Sequence, residues 1–323
     1  MPAEGRTAVF TGPRSVRIES RVVPEPGANQ VRVRLEGCGV CGSNLPVWQG
    51  RPWFEYPREP GSPGHEGWGI VDAIGAAVTT VSPGDRVAAL SYHAFGDYDL
   101  AEAAQIVALP KIVEDQPFPG EALGCAMNVF ARSEIRAGDT VAIVGIGFMG
   151  ALLTQLASRA GARVIAMSRR DYALKIARQM GANYALSMSD RGALLEIVKD
   201  LTNGRGCERV IEATGFQEAL DLATELTAER GRLIIAGYHQ DGLRQVNMQL
   251  WNWRGLDVIN AHEREMHVYV EGMRAAARAI TDGQLDPSSL YTSVFSLEQI
   301  EEAFRGLEER DGSFLKALLV YDR

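Results

Sequence analysis

The feature that most restricts this chain is a six-residue loop, Gly145-Ile146-Gly147-Phe148-Met149-Gly150, set directly between an apolar strand and a helix. Upstream, Val141-Ala142-Ile143-Val144 is short and wholly apolar, as strands buried on both faces of a parallel sheet are. Downstream, a helix is predicted over 149–160, stopped by Gly161. The first glycine of the loop permits a tight turn. The second lets backbone approach a pyrophosphate, and the third lets helix and strand pack closely. The helix start adds unpaired N–H groups and a positive dipole end. A bare G-x-G-x-x-G is a weak pattern, and a glycine-rich turn without a ligand is the alternative. The strand–loop–helix setting makes dinucleotide binding the stronger reading.

The alternation continues around that unit. Strands are predicted at 163–167, 209–213, 232–237 and 256–260, with helices at 171–180 and 217–226. Repeated βαβ units imply a doubly wound parallel sheet. The first 110 or so residues read differently. Alternating runs at 31–35, 69–74 and 86–90 are separated by turns such as Ser82-Pro83-Gly84-Asp85, which suggests a small all-β barrel or sandwich. The tail carries helices near 268–281 and 297–307 and a last strand at 317–320. A chain of 323 residues exceeds what one core usually organises, so two domains are expected.

The end of the second strand of the dinucleotide half discriminates between cofactors. An acidic residue there bonds ribose hydroxyls; a small residue followed by arginine accommodates a 2′-phosphate. The chain reads Met167-Ser168-Arg169-Arg170-Asp171, and counting from Gly161 puts Ser168 in the acidic position. NADP(H) is therefore favoured over NAD(H). The alternative is that Arg169 and Arg170 form a solvated loop and Asp171 serves the ribose. Thr214 and Gly237, at the ends of the next two strands, join the expected cofactor contacts.

Two short segments carry metal chemistry: Gly37-Cys38-Gly39-Val40-Cys41-Gly42-Ser43-Asn44 and Gly64-His65-Glu66-Gly67. Thiolate, imidazole and carboxylate together suit zinc, which polarises a substrate oxygen when one coordination position stays open. Taken singly, Cys38 and Cys41 also fit core positions or a redox pair, and His65 fits a hydrogen-bonded loop histidine. Four cysteines are too few and too scattered for a disulfide framework.

An all-β first part holding these two segments, followed by a dinucleotide fold, resembles the medium-chain dehydrogenase/reductase family, nearest its zinc-binding, alcohol- or polyol-oxidising branch. The most specific motif is Gly64-His65-Glu66-Gly67 with Gly69 and Gly75 following. The resemblance covers nearly the whole chain. It implies an α/β fold: a GroES-like β-barrel catalytic domain over 1–119 and 263–323, and a Rossmann dinucleotide-binding domain over 120–262. It implies Cys41 and His65 as zinc ligands and Glu66 as a residue that either binds zinc or displaces its water. Ser43 would bond the substrate oxygen. The fourth ligand falls on Glu121, with Cys125 as the alternative. Asn44 stands where the family has an aspartate behind the zinc histidine, and Pro46 where many members have a relay histidine. The structural-zinc lobe is missing from the sequence, so one catalytic zinc and no structural zinc are expected. Asn44, Trp48, Trp53, Phe54, His93 and Phe95 are the implied substrate pocket, with packing under a long loop the alternative for the aromatic stretch, and Lys316 is an implied basic residue near the cofactor phosphates or else a surface lysine.

The implied activity is hydride transfer between a nicotinamide cofactor and a secondary alcohol or ketone, with a polyol, cyclitol or sugar-like substrate. A zinc-free quinone or enoyl reductase of the same family, or a non-catalytic cofactor-binding protein, is the alternative. The implied assembly is a homodimer or homotetramer paired through the strand near 256–260. Net charge is −8, which argues against nucleic acid or an anionic membrane as partner. No apolar run reaches the length of about 18 residues that a membrane helix needs. The N-terminus lacks the basic-then-apolar shape of a signal peptide, so a cytoplasmic location is expected.

Overall fold

The computed structural model describes residues 4–321. The chain divides into two compact units, Met1–Cys125 with Arg264–Arg323, and Ala126–Glu263.

The first unit opens on a hairpin of β1 (Glu4–Gly12) and β2 (Ser15–Val22). Then come β3 (Gln30–Val40), the short helix α1 (Leu45–Gln49), β4 (Gly67–Ile74), β5 (Arg86–Ala89), β6 (Tyr98–Glu102), β7 (Ile106–Ala108) and α2 (Gly120–Ser133). The axis is β3, whose period of two is plain in the sequence. Val31, Val33 and Leu35 are buried while Arg32 and Arg34 between them are half-exposed. The first division between units falls within α2 rather than ahead of it, so the first turn of that helix, with Glu121, belongs to the first unit.

The second unit runs β8 (Thr140–Val144), α3 (Phe148–Arg159), β9 (Arg163–Ser168), α4 (Asp171–Gln179), β10 (Tyr184–Ser187) and α5 (Arg191–Leu201). It continues with β11 (Cys207–Glu212), α6 (Gln217–Leu226), β12 (Thr227–Ile235), α7 (Met248–Arg254) and β13 (Asp257–Asn260). The strands lie in the order β10-β9-β8-β11-β12-β13, every pair parallel. The order reverses between β8 and β11, and the carboxyl ends of strands at such a switch point open a ligand crevice. β10, α5 and α7 are absent from the sequence reading. α5 buries only Leu194 and Val198, and α7 buries nothing, so neither carries a strong apolar stripe.

The tail returns to the first unit as α8 (Met266–Thr281), β14 (Tyr291–Phe295), α9 (Ile300–Glu309) and β15 (Lys316–Val320). β15 lies between β14 and β3, pairing Ala317 with Val40. The helix expected over 297–307 begins as a 3-10 turn, Leu297–Gln299, closed by a reciprocal Ser296–Gln299 capping box. α9 then buries Ile300, Ala303, Phe304 and Leu307, one face at helical spacing. Phe304 is the hub of an aromatic cluster. Its ring meets Phe10 edge-on at 5.3 Å, stacks on Trp48 at 5.4 Å and meets Phe95 edge-on at 5.9 Å. Truncating such a ring to alanine costs about 3–5 kcal/mol. Among the described residues no helix is long and apolar enough to cross a membrane.

Candidate metal centre and dinucleotide cradle

β3 delivers Cys41 just past its last residue, and the start of β4 is preceded by His65 and Glu66. The antiparallel pairing of these strands brings the two segments together, with the Gly39 amide donating to the Glu66 carbonyl at 3.2 Å. One ligand atom from each of Cys41, His65 and Glu66 falls within 4.8 Å of the others. Glu66 is fully buried and His65 nearly so.

The geometry sets the imidazole tautomer. His65 Nδ1 lies 2.9 Å from the Pro63 carbonyl, which can only accept, so Nδ1 carries a proton and Nε2 is the nitrogen left to face a metal. That is the arrangement a metal-ligating histidine needs. Burial opposes charging this ring. Its hydrogen bond to Cys41 and the charges of Cys41, Glu121 and Glu66 outweigh that and raise its pKa to about 10. A cysteine, an imidazole and a carboxylate gathered at one point are a donor set that fits zinc.

Asn44 is buried against this ring, with Nδ2 3.4 Å from His65 Nδ1 and 3.3 Å from the Pro63 carbonyl. It stands behind the histidine and not in a substrate pocket. Ser43 Oγ donates to Cys41 Sγ at 3.2 Å, so its hydroxyl is turned toward the thiolate.

The carboxylates divide. Glu66 is held by the Lys316 ammonium, with N–O distances of 2.6 and 2.5 Å, and both residues are buried. A side chain on Gly39 would collide with that carboxylate, so glycine is required there. Lys316 is thus the counter-ion of Glu66, not the free phosphate-binding lysine expected from the sequence. Glu121, in the first turn of α2, has Oε2 3.8 Å from His65 Nε2, the nitrogen that would face a metal. Its other oxygen accepts from Cys125 Sγ at 3.1 Å, one helical turn on. Burial raises the pKa of both Glu121 and Cys125. The remaining cysteines, Cys38 and Cys207, are fully buried core residues.

Several expected pocket residues belong elsewhere. Trp48 and Phe95 are in the Phe304 cluster, 1% and 0% exposed, and the Trp48 indole donates to Glu308 at 3.1 Å. They are core residues because α1 and the loop before β6 pack onto α9. His93 bonds the Pro60 carbonyl at 3.0 Å and faces a cavity of about 400 Å³ lined by Arg6, Arg32, Tyr98 and Asp99, without Cys41 or His65. Trp53 is exposed, and Phe54 lies under the Arg58 guanidinium at 5.6 Å. An aromatic beside the candidate centre is Tyr92, 56% exposed, with its ring 6.0 Å from that of His65. Sequence reasoning passed over it for its neighbours; the break in alternation after β5 gives no clue to which residue turns inward.

In the second unit, the glycine loop has the form that phosphate binding requires. Gly145 has φ 100°, a conformation that favours glycine. A side chain on Gly150 would strike the Gly145 carbonyl, whereas one on Gly147, the N-cap of α3, would meet nothing within 4 Å. Open space at Gly147, ahead of the unpaired amides of α3, is a cradle that a Cβ would fill and a phosphate fits. Ile146 is buried, and Phe148 and Met149 open the helix. Ser168 closes β9, buried, with its Oγ accepting from the Arg170 amide at 3.2 Å, and Arg169 is exposed.

Thr214 and Gly237 take different parts from those expected. The Thr214 hydroxyl donates to Glu212 at 2.5 Å, and a side chain on Gly237 would strike the Gly215 backbone. Both serve a network that sequence reading did not find. Glu212, fully buried, accepts from the Thr214 and Gly215 amides and from His239 Nε2 at 2.9 Å. Arg244 Nε donates to His239 Nδ1 at 3.0 Å, and its Nη2 donates to the Gly215 carbonyl at 3.0 Å. The chain ties two loops at the carboxyl edge of the sheet.

Comparison with known proteins follows the same division. Residues 27–111 match the alcohol dehydrogenase GroES-like domain, and residues 149–278 the zinc-binding dehydrogenases. Sorbitol dehydrogenase of Bacillus subtilis is 26% identical over 355 residues, covering 100% of this chain and 99% of that protein. Among solved structures, a zinc-binding dehydrogenase from Sinorhizobium meliloti bound to NADP superposes with a TM-score of 0.83 at 23% identity, covering 98% of this chain and 99% of that one. An alcohol dehydrogenase from Escherichia coli complexed with NADH gives 0.86 at 23% identity, with the same coverage.

Proposed function

The chain belongs to the zinc-type medium-chain alcohol dehydrogenases, and from that premise we propose that it exchanges hydride between NADP(H) and a polyol- or sugar-like secondary alcohol. The observation that carries this reading is the gathering of Cys41, His65 and Glu66, one ligand atom of each within 4.8 Å of the others, with Glu121 Oε2 3.8 Å from His65 Nε2. One zinc would be held there by Cys41, His65 and Glu121, supplying Lewis acidity to the substrate oxygen, while the dinucleotide supplies or takes the hydride. Glu66, although paired with Lys316, lies within reach of the same metal. The Pro63 carbonyl orients His65 in place of a charged partner, which makes the imidazole a less basic ligand than an aspartate would. Cys38 and Cys207, sealed in their cores, support a single zinc.

Ser168 and the arginines after it favour the 2′-phosphorylated cofactor, since no carboxylate closes β9 to compete with that phosphate. A sorbitol dehydrogenase spanning the full chain supports a polyol class of substrate. Tyr92 offers a ring against which the C–H face of such a substrate packs. Among the described residues β13 pairs only with β12, an edge on which two copies could join into the expected dimer or tetramer in the cytoplasm. Metal analysis with a polyol panel tests the reading. The purified protein should carry about one zinc per chain, Cys41→Ser should lose it with the activity, and Glu121→Ala should lose more zinc than Cys125→Ala. A zinc-free, fully active wild type would end the proposal, and the reverse order of the last two variants would move the ligand to Cys125.

A further inference from the structure

Nothing in the chemistry of hydride transfer calls for the Glu212–His239–Arg244 chain, yet it stands where the strand order of the parallel sheet reverses. Thr214 follows the end of β11 and Gly145 the end of β8, the two strands on either side of that reversal. A Cβ built on Gly145 would collide with Cγ2 of Thr214, so the threonine methyl lies against the first glycine of the phosphate loop. Glu212 holds Thr214 in that place. One carboxylate oxygen accepts from the Thr214 amide at 2.6 Å, from its hydroxyl at 2.5 Å and from the Gly215 amide at 2.9 Å. Among the described residues the other oxygen has one donor, His239 Nε2, at 2.9 Å.

The imidazole is fixed at both ends. Arg244 Nε, at 3.0 Å, can only donate, so His239 Nδ1 holds a lone pair and Nε2 carries the proton given to Glu212. The same guanidinium donates to the Gly215 carbonyl, so Gly215 is gripped by its amide through Glu212 and by its carbonyl through Arg244. A Cβ built on Gly237 would collide with the Glu212 carboxylate and the Gly215 amide, which shows how closely backbone encloses the pair.

We propose that His239 is a positioning residue for the dinucleotide: its Nε2–H holds Glu212, which seats Thr214 and Gly215 as the wall of the crevice facing the phosphate loop. Without that donor a fully buried carboxylate oxygen loses its partner. A buried acceptor left unpaired is costly, so the side chain turns toward another donor or water and releases the amides it held. The inference rests on the dinucleotide half of the dehydrogenase reading and not on the metal.

Calorimetric titration of the full-length protein with NADPH and with NADH reads affinity and number of sites separately. His239→Leu removes the donor, His239→Gln puts an amide N–H in its place, and Arg244→Met removes the brace on Nδ1. His239→Leu should weaken each coenzyme that the wild type binds by the same factor, about tenfold or more, with zinc content unchanged. Arg244→Met should weaken binding threefold or more, and His239→Gln should stay within threefold of wild type. A merely structural role would lower the number of competent sites and leave the affinity of the rest unchanged; that result overturns the proposal. So does a loss below threefold in His239→Leu, a glutamine variant no better than the leucine one, or a loss confined to NADPH, which would place the effect at the 2′-phosphate. The Gln217 side chain exchanges two further bonds with the Gln245 backbone, at 2.8 and 2.9 Å, so the loop keeps a second tie when His239 is changed. Should His239→Leu still yield no folded protein, Arg244→Met decides, and binding within twofold of wild type in it overturns the proposal. A wild type that binds neither coenzyme overturns the dinucleotide reading as well, whereas normal wild-type binding with indifferent variants overturns this inference alone.

Discussion

Replacing Lys316 by methionine isolates the energetics of the buried pair it makes with Glu66 beside Cys41 and His65. Methionine roughly keeps the length of the lysine stem, so the change is the loss of one charge and its hydrogen bond. Lys316 is 4% exposed and Glu66 0%, with the ammonium 2.5–2.6 Å from the carboxylate oxygens. Cys41 and Glu121 are the other charge-bearing residues acting on Lys316, and Gly39 leaves no room for water on its side. Removing one partner of such a pair strands the other, at a cost of about 3–5 kcal/mol. Removing both should recover most of that, because an apolar and amide filling is often as stable as the ion pair. The metal-free protein is the right material, since zinc binding would add its own free energy to the folded state. Urea denaturation should show Lys316→Met weaker by about 3–5 kcal/mol, and Lys316→Met combined with Glu66→Gln close to the parent. Hydrogen exchange at β15 should report the same order. A single variant as stable as wild type would mean that the carboxylate finds water or a proton, and the reasoning about its isolation would be wrong. A double variant no better than the single would show that packing around Lys316, not charge, carries the effect.

Two further outcomes can be checked independently. Ser168→Asp places a carboxylate at the end of β9 and should move the ratio of NADP to NAD efficiency toward NAD by tenfold or more, an unchanged ratio counting against the cofactor assignment. Asp99 is buried, and burial raises its pKa from 3.8 to about 6, against the opposing hydrogen bond from Ser91. The folded state thus binds its proton more tightly than the unfolded chain, so this residue's contribution is fully present below about 4 and is lost as pH climbs through 6. That rise corresponds to about 3 kcal/mol, and Asp99→Asn should flatten the fall in urea midpoint between pH 4 and 6; a variant with the parent's pH profile would contradict it.

The elements that could be read in the sequence are those with a local cause. β3 alternates because one face is core, and the glycine loop announces itself through three positions with three steric reasons. Cys41, His65 and Glu66 could be grouped because their side chains share a chemistry. What could not be read depends on contacts that no short window contains. The Lys316–Glu66 pair spans 250 positions. Trp48 and Phe95 look like pocket aromatics until α9 folds over them, and α7 buries no residue by which it might be recognised. The Glu212–His239–Arg244 network escaped because each member is unremarkable alone, and only the parallel pairing of β11 and β12 aligns them.

The position of β15 also fixes an order of events during synthesis. Residues 126–263 form a unit of their own and can complete it as soon as they emerge. The first unit cannot, since β3, made early, must wait for residues 316–320 to gain its neighbour and for Phe304 to fill its core. Until then Glu66 lacks Lys316 and the Gly37–Val40 end of β3 lacks its neighbour. The strands that carry Cys41, His65 and Glu66 are thus the first made and the last finished, and a ribosome stalled before Lys316 would leave the nascent chain with an exposed strand edge open to mispairing.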